Sequence, residues 1–126
     1  MLKESTIIKF DINGFNAVAQ SGSPQETASY LRSYYDHISA SISGLGWKIV
    51  KTIGDCVLVS AEQNATQENI SVVCKELRNS FDISTYYRAC HFEEAEYSYD
   101  DYSCKDVIGK DINNLFMEDN FTFSVS

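Results

Sequence analysis

The chain has 126 residues, 44% hydrophobic and 22% charged, which suits one globular domain with a real core. Its formal net charge of -8 argues against a nucleic-acid backbone or an anionic membrane as the main partner, since both call for a basic surface. That charge leaves room for a nucleotide, which a divalent cation and a few local lysines can hold.

The β-branched run Thr6 to Ile12 predicts a buried strand, broken by Asn13-Gly14. Ser23-Pro24 opens a helix, with serine as N-cap and proline at the first helical position. Ala28, Leu31, Tyr35, Ile38 and Ile42 recur at helical spacing along it, and Gly44 and Gly46 end it. Trp47 to Ile53 and Cys56 to Ser60 predict two strands joined by a Gly54-Asp55 turn. After a polar stretch, Ile70, Val73, Leu77 and Phe81 mark a second amphipathic helix. Thr85 to Phe92 predicts a fourth strand. The acidic, tyrosine-rich segment Glu93 to Lys105 reads as a long hairpin tip or an irregular loop. A turn and a short helix follow within Val107 to Phe116, and Phe121 to Val125 closes as a strand. The order β-α-β-β-α-β predicts an α+β domain of ferredoxin-like type spanning residues 1–126.

Cys56, Cys74, Cys90 and Cys104 have no Cys-x-x-Cys spacing, so a zinc site is not expected. Met1-Leu2-Lys3-Glu4 leads directly into a strand-like run without a leader pattern, and no apolar stretch has membrane-spanning length. The expectation is a cytoplasmic chain with free thiols, with neither nucleic acid nor membrane insertion among its partners. His91 reads as a strand histidine at the sheet surface, and Tyr97, Tyr99 and Tyr102 as a dimer arm or loop packing.

Asp11 and Asp55 each stand beside a strand-like run and near a glycine. Either could be a turn residue bonded to its own backbone. In a ferredoxin-like sheet, however, the first and third strands are central neighbours. If these pair antiparallel, both carboxylates reach one end of the sheet, where hard oxygen ligands could share a divalent cation.

The stretches Phe10-Asp11-Ile12-Asn13-Gly14-Phe15, Lys51-Thr52-Ile53-Gly54-Asp55, Arg88-Ala89-Cys90-His91-Phe92 and Asp106-Val107-Ile108-Gly109-Lys110-Asp111-Ile112-Asn113 occur in this order. Together they resemble the class III nucleotidyl cyclase (adenylate and guanylate cyclase) catalytic domain over nearly the whole chain. The resemblance implies that Asp11 and Asp55, with the backbone of Ile12, hold two Mg²⁺ or Mn²⁺ ions. It implies that the backbone through Asn13, Gly14 and Phe15 faces the phosphates of a nucleoside triphosphate. Lys51 and Asp106 match the positions that read the purine, and lysine with aspartate there suits adenine, so ATP is the favoured nucleotide. Asn113 matches the asparagine that orients the ribose. In the family the metal aspartates come from one subunit and the base-reading pair and asparagine from the other, which implies a homodimer.

The chain also departs from the pattern. Met117 stands where the family has its transition-state arginine, a later phosphate-binding lysine has no counterpart, and Glu93 replaces a small residue. Two readings therefore stay open. One is a metal-dependent cyclase, most simply making cAMP from ATP and of weak activity. The other is a catalytically degenerate module that binds nucleotide, metal or a protein partner in signalling. A cyclic-diguanylate synthase has the same sheet order, but its Gly-Gly-Asp/Glu-Glu-Phe hairpin signature is absent.

Overall fold

Strand β1 (Leu2–Ile12) runs through the middle of the sheet in a computed structural model that describes residues 2–118 and 122–125. Successive side chains of a strand point to opposite faces. Here both faces are covered: Ile8, Phe10 and Ile12 enter one apolar cluster, and Ile7 enters another. β1 pairs antiparallel with β3 (Cys56–Ala61), Phe10 opposite Val57, and antiparallel with β4 (Ile83–Tyr99), Asp11 opposite Ser84. β2 (Lys48–Ile53) lies outside β3; β5 (Tyr102–Ile108) pairs with the far half of β4, and β6 (Phe123–Val125) with its near half. The order β2-β3-β1-β4 is the ferredoxin-like arrangement that the sequence predicts, extended by β5 and β6.

One face carries α2 (Pro24–Ile42) and α3 (Gln67–Arg78). α2 begins where the sequence predicts, and both helices start at a side-chain cap. The Ser23 hydroxyl accepts from the Glu26 N–H while Glu26 accepts from the Ser23 N–H, and Thr66 accepts from the Asn69 N–H. Tyr34, Ile38 and Ile42 of α2 and Ile70, Val73 and Leu77 of α3 then bury against Ile8, Phe10 and Val59. The opposite face is covered by α4 (Lys110–Met117), whose Ile112 and Leu115 pack on Ile7, Leu58, Cys90 and Phe92. α4 can approach β4 closely because Gly109 has no side chain: a Cβ there would lie 3.0 Å from the His91 carbonyl oxygen. Asp111 fastens the same corner, accepting from the His91 N–H at 2.8 Å.

The structure departs from or refines the sequence expectation in three places, the first being that α3 ends at Arg78, short of Phe81. A short helix, α1 (Phe15–Ser21), fills the stretch between the Asn13-Gly14 break and Ser23. The segment 93–105 is the hairpin of the two alternatives. β4 continues to Tyr99, turns at Asp100-Asp101, and returns as β5, with Tyr97 opposite Cys104. The predicted last strand is present at Phe123–Val125; Phe121 lies outside the described residues. All four cysteines are unpaired.

If α4 is an integral layer, truncating its buried anchor must be costly. Leu115→Ala should lower unfolding free energy by about 2–5 kcal/mol, and Gly109→Ala by about 1–3 kcal/mol, in urea melts. An unchanged midpoint for both would mean that α4 does not pack as described.

Candidate active site

Asp11 is near the end of β1 and projects to the α4 face, two residues after Lys9 on the same side. Asp55 stands in the two-residue turn between β2 and β3, whose Gly54 has φ +58°, a left-handed conformation suited to glycine. Two bonds hold that turn. The Ile12 N–H donates to Asp55 Oδ2 at 3.1 Å, and the Tyr35 hydroxyl of α2 donates to the Gly54 carbonyl at 2.5 Å. The pairing of β1 with β3 thus brings both aspartates to one end of the sheet, as the strand order predicts.

Their proximity is also electrostatic. Burial pushes the Asp11 carboxyl above its ordinary value of 3.8; Lys9 opposes that shift, and Asp55 adds to it as a like charge. Cys56, bonded to Asp11, has its thiol pushed up to about 12, first by burial and then by the Asp11 charge. It is a neutral donor there. Two hard carboxylates beside a strand-end backbone fit Mg²⁺ or Mn²⁺ better than zinc, and they could hold such an ion with Ile12 supplying main-chain oxygen. Among the described residues no group of three His, Cys, Asp or Glu side chains converges as a metal cluster. The remaining ligands would have to come from backbone, water or a bound phosphate.

The predicted phosphate-facing segment is partly committed within the chain. The Asn13 N–H donates to the Asp82 carbonyl at 2.8 Å, and the Asn13 side chain joins Asp82 and Ser84. Gly14, at φ +71°, turns the chain into α1, which Phe15 opens.

Lys51 and Asp106 meet. Lys51 lies on β2 and Asp106 on β5, and the Lys51 ammonium donates to Asp106 Oδ1, which also accepts from the Val107 N–H at 2.7 Å. Asp106 borders a cavity of about 490 Å³ between the edges of β2 and the β4–β5 hairpin, lined also by Ile49, Val50, Lys105 and Glu96. Neither Asp11 nor Asp55 lines it. Asn113 is exposed on α4, and Met117, at the C-terminal turn of that helix, is 75% exposed. The structure therefore joins the residues in two separate sets, Asp11 with Asp55 and Ile12, and Lys51 with Asp106, while Asn113 faces solvent.

Two residues at this site have roles that the sequence reading does not give them. Tyr35 counted only as part of an apolar helix face. Lys9 counted only as one position in a strand, yet it is 4% exposed and its ammonium lies 3.7 Å from Asp11 Oδ2. The available signal was a lysine between Ile8 and Phe10, where the flanking residues are apolar.

Known proteins share this fold. A family model described as the adenylate and guanylate cyclase catalytic domain matches residues 2–97. Among solved structures, the guanylyl cyclase Cya2 superposes with a TM-score of 0.73 at 15% identity, over 98% of this chain and 72% of that one. The adenylyl cyclase CyaB from P. aeruginosa gives 0.74 at 18% identity, over 98% and 74%. The guanylate cyclase domain of RhGC from Catenaria anguillulae, solved in complex with GTP, gives 0.77 at 14% identity, over 98% and 76%. No curated protein matches the chain in sequence. Among the described residues no helix is long and apolar enough to cross a membrane.

The raised Asp11 carboxyl has a measurable consequence. A carboxyl whose folded pKa exceeds its unfolded value stabilises the fold most at low pH, and that contribution is lost as pH rises through the folded value. Asp11→Asn should therefore stabilise the metal-free protein at pH 7, with the difference closing below about pH 3.8. A loss of stability at pH 7 in thermal melts would mean that the Lys9 attraction outweighs burial.

Proposed function

The chain belongs to the adenylate and guanylate cyclase catalytic-domain family, and we propose that it is a metal-dependent nucleotide cyclase of weak activity, converting ATP most simply to cAMP. The observation that carries this reading is the convergence of Asp11, Asp55 and the Ile12 backbone at one end of the β1–β3 pair. When bound there, a divalent cation supplies charge to the triphosphate and acidity to the ribose 3′-hydroxyl. The chain's own residues do the rest of the work. Asp11 and Asp55 fix where that charge sits. Tyr35 keeps the Asp55 turn in place from behind.

Lys51 and Asp106 form the base-reading pair, the ammonium donating to a ring nitrogen and the carboxylate accepting from the adenine amino group. Their mutual ion pair holds the Lys51 ammonium against Asp106, which borders the cavity. Asn113, exposed on α4, is available to a ribose held on the other half of a homodimer. The exposed tyrosines of the β4–β5 hairpin, Tyr99 at 68% and Tyr102 at 58%, suit the arm of such a dimer.

A second reading, a degenerate module that binds nucleotide or metal in regulation, is favoured by Met117. An arginine facing the developing phosphoryl charge is worth roughly 10³-fold or more, and methionine supplies none of it.

Incubation with ATP, GTP, CTP or UTP and Mn²⁺ should give cyclic product and pyrophosphate from ATP foremost. Asp11→Ala and Asp55→Ala should each abolish it. No product from any nucleotide at high protein concentration sinks the cyclase reading; product that survives both substitutions sinks the site. Lys51→Glu should lower ATP binding relative to GTP in calorimetry, and an unchanged ratio removes the base-reading role. Met117→Arg should raise turnover, by up to roughly 10³-fold. If the rate does not move in a variant that still binds ATP, the missing charge is not at that position.

A further inference from the structure

The α4 face of β1 buries an ammonium group. Lys9 lies opposite Leu58 and Tyr86 in the sheet, and its Nζ is 3.5 Å from Glu118 Oε1 as well as 3.7 Å from Asp11 Oδ2. The ion also lies 4.9 Å from the centre of the Tyr86 ring and 5.2 Å from that of Phe116. Removing an ammonium from water is costly unless other charges and dipoles replace the water. Two carboxylates and two ring faces do so here. Glu118 reaches this position from the left-handed residue that ends α4, φ 55°. The helix that covers the face thus also closes the cage.

The cage changes what the aspartates can offer. Asp11 Oδ2 faces Lys9, and Asp55 Oδ2 accepts the Ile12 N–H. Each carboxylate therefore has at most one oxygen not already engaged by Lys9 or Ile12, and Asp11 is bonded by the Cys56 thiol as well. Two oxygens anchor one ion, whose remaining positions can fall to backbone, water and phosphate. A pair of ions some 3.5–4 Å apart would call for more carboxylate oxygens than these two. A second divalent ion at Asp11 Oδ2 would also sit directly against the ammonium, a repulsion that a partly buried site does not screen.

We propose that Lys9 takes the place of one of the two divalent cations, so that the site binds a single metal ion per nucleotide. The inference rests on the nucleotide-binding reading above and deepens it. Lys9 is a charge-balancing and positioning residue in this scheme, fixed within its own protomer.

Counting ions tests it without reference to turnover. The full chain is titrated with Mn²⁺ in the presence of α,β-methylene-ATP, free Mn²⁺ is followed by electron paramagnetic resonance, and bound nucleotide is measured by equilibrium dialysis. The expected ratio is one Mn²⁺ per bound nucleotide. Lys9→Met, whose unbranched stem fills the same apolar path, should bind two. Glu118→Gln and Lys9→Arg, which keep a cation at position 9, should stay at one. Two Mn²⁺ per nucleotide in the unsubstituted chain overturns the proposal, and this count does not depend on whether any variant folds. A ratio of one in a folded Lys9→Met protein also overturns it. Nucleotide bound with no Mn²⁺ overturns the role of Lys9 while leaving nucleotide binding in place. Binding of neither overturns both.

Discussion

The antiparallel pairing of β1 with β3 on one side and β4 on the other is the constraint on which the rest depends. It places Phe10 opposite Val57 and Asp11 opposite Ser84, and so determines which ends of the strands lie together. A strand flanked on both sides must also satisfy two covers, because its alternate residues point both ways. Ile8, Phe10 and Ile12 go to α2 and α3; Ile7, Lys9 and Asp11 go to the face under α4. A shift of one residue would send Lys9 and Asp11 into the apolar cluster around Tyr34 and bring Phe10 to the site. The apolar demand of the α2–α3 face therefore holds Asp11 in register.

The second face has a different character. It joins apolar side chains, among them Leu58, Cys90, Phe92 and Leu115, to a charged end that holds Asp11, Asp55, Lys9 and Glu118. In a chain of net charge -8, the nearby cation limits the repulsion between the two aspartates. The half-buried thiol of Cys56 adds a neutral donor to Asp11, and the Ile12 N–H does the same for Asp55. Each carboxylate thus has one oxygen occupied within the protein before any ligand arrives. This preorganisation fixes the geometry of the remaining oxygens and, on the proposed reading, limits how many ions they can serve.

Much of this was legible in the sequence, and the omissions have physical causes. The β-branched runs, the Ser23-Pro24 cap and the Gly54-Asp55 turn are local signals, and local physics makes those elements. α1 leaves no clear mark in the sequence because it is short, has no side-chain cap and buries no residue. The extension of β4 to Tyr99 was ambiguous because its outer half is mostly exposed and alternates tyrosine with acid, a pattern shared by loops and solvated hairpins. Lys9 looks like an ordinary strand position in the sequence because its burial is imposed by Phe116 and Glu118, more than a hundred residues later in the chain. Asp11 and Asp55 stand out because each has a local strand-end signature, and their mutual approach follows from strand order.

Lys9 and Met117 bear on one another. Both lie at the α4 face, and they contrast in polarity and in access: the lysine is 4% exposed and the methionine 75%. A cation at position 117 would project from the end of α4 into solvent, where it could meet substrate held by a partner subunit. A cation at position 9 cannot reach out, since rings and carboxylates enclose it. On the proposed reading, positive charge has therefore been kept on the side of the site that binds the triphosphate in the ground state. It has been lost on the side that would meet charge as the leaving group departs. Interactions equally strong in ground and transition states hold a substrate without accelerating its reaction. A site balanced in this way binds nucleotide better than it turns nucleotide over, which connects the low activity proposed for the chain to two side chains on one face of its sheet.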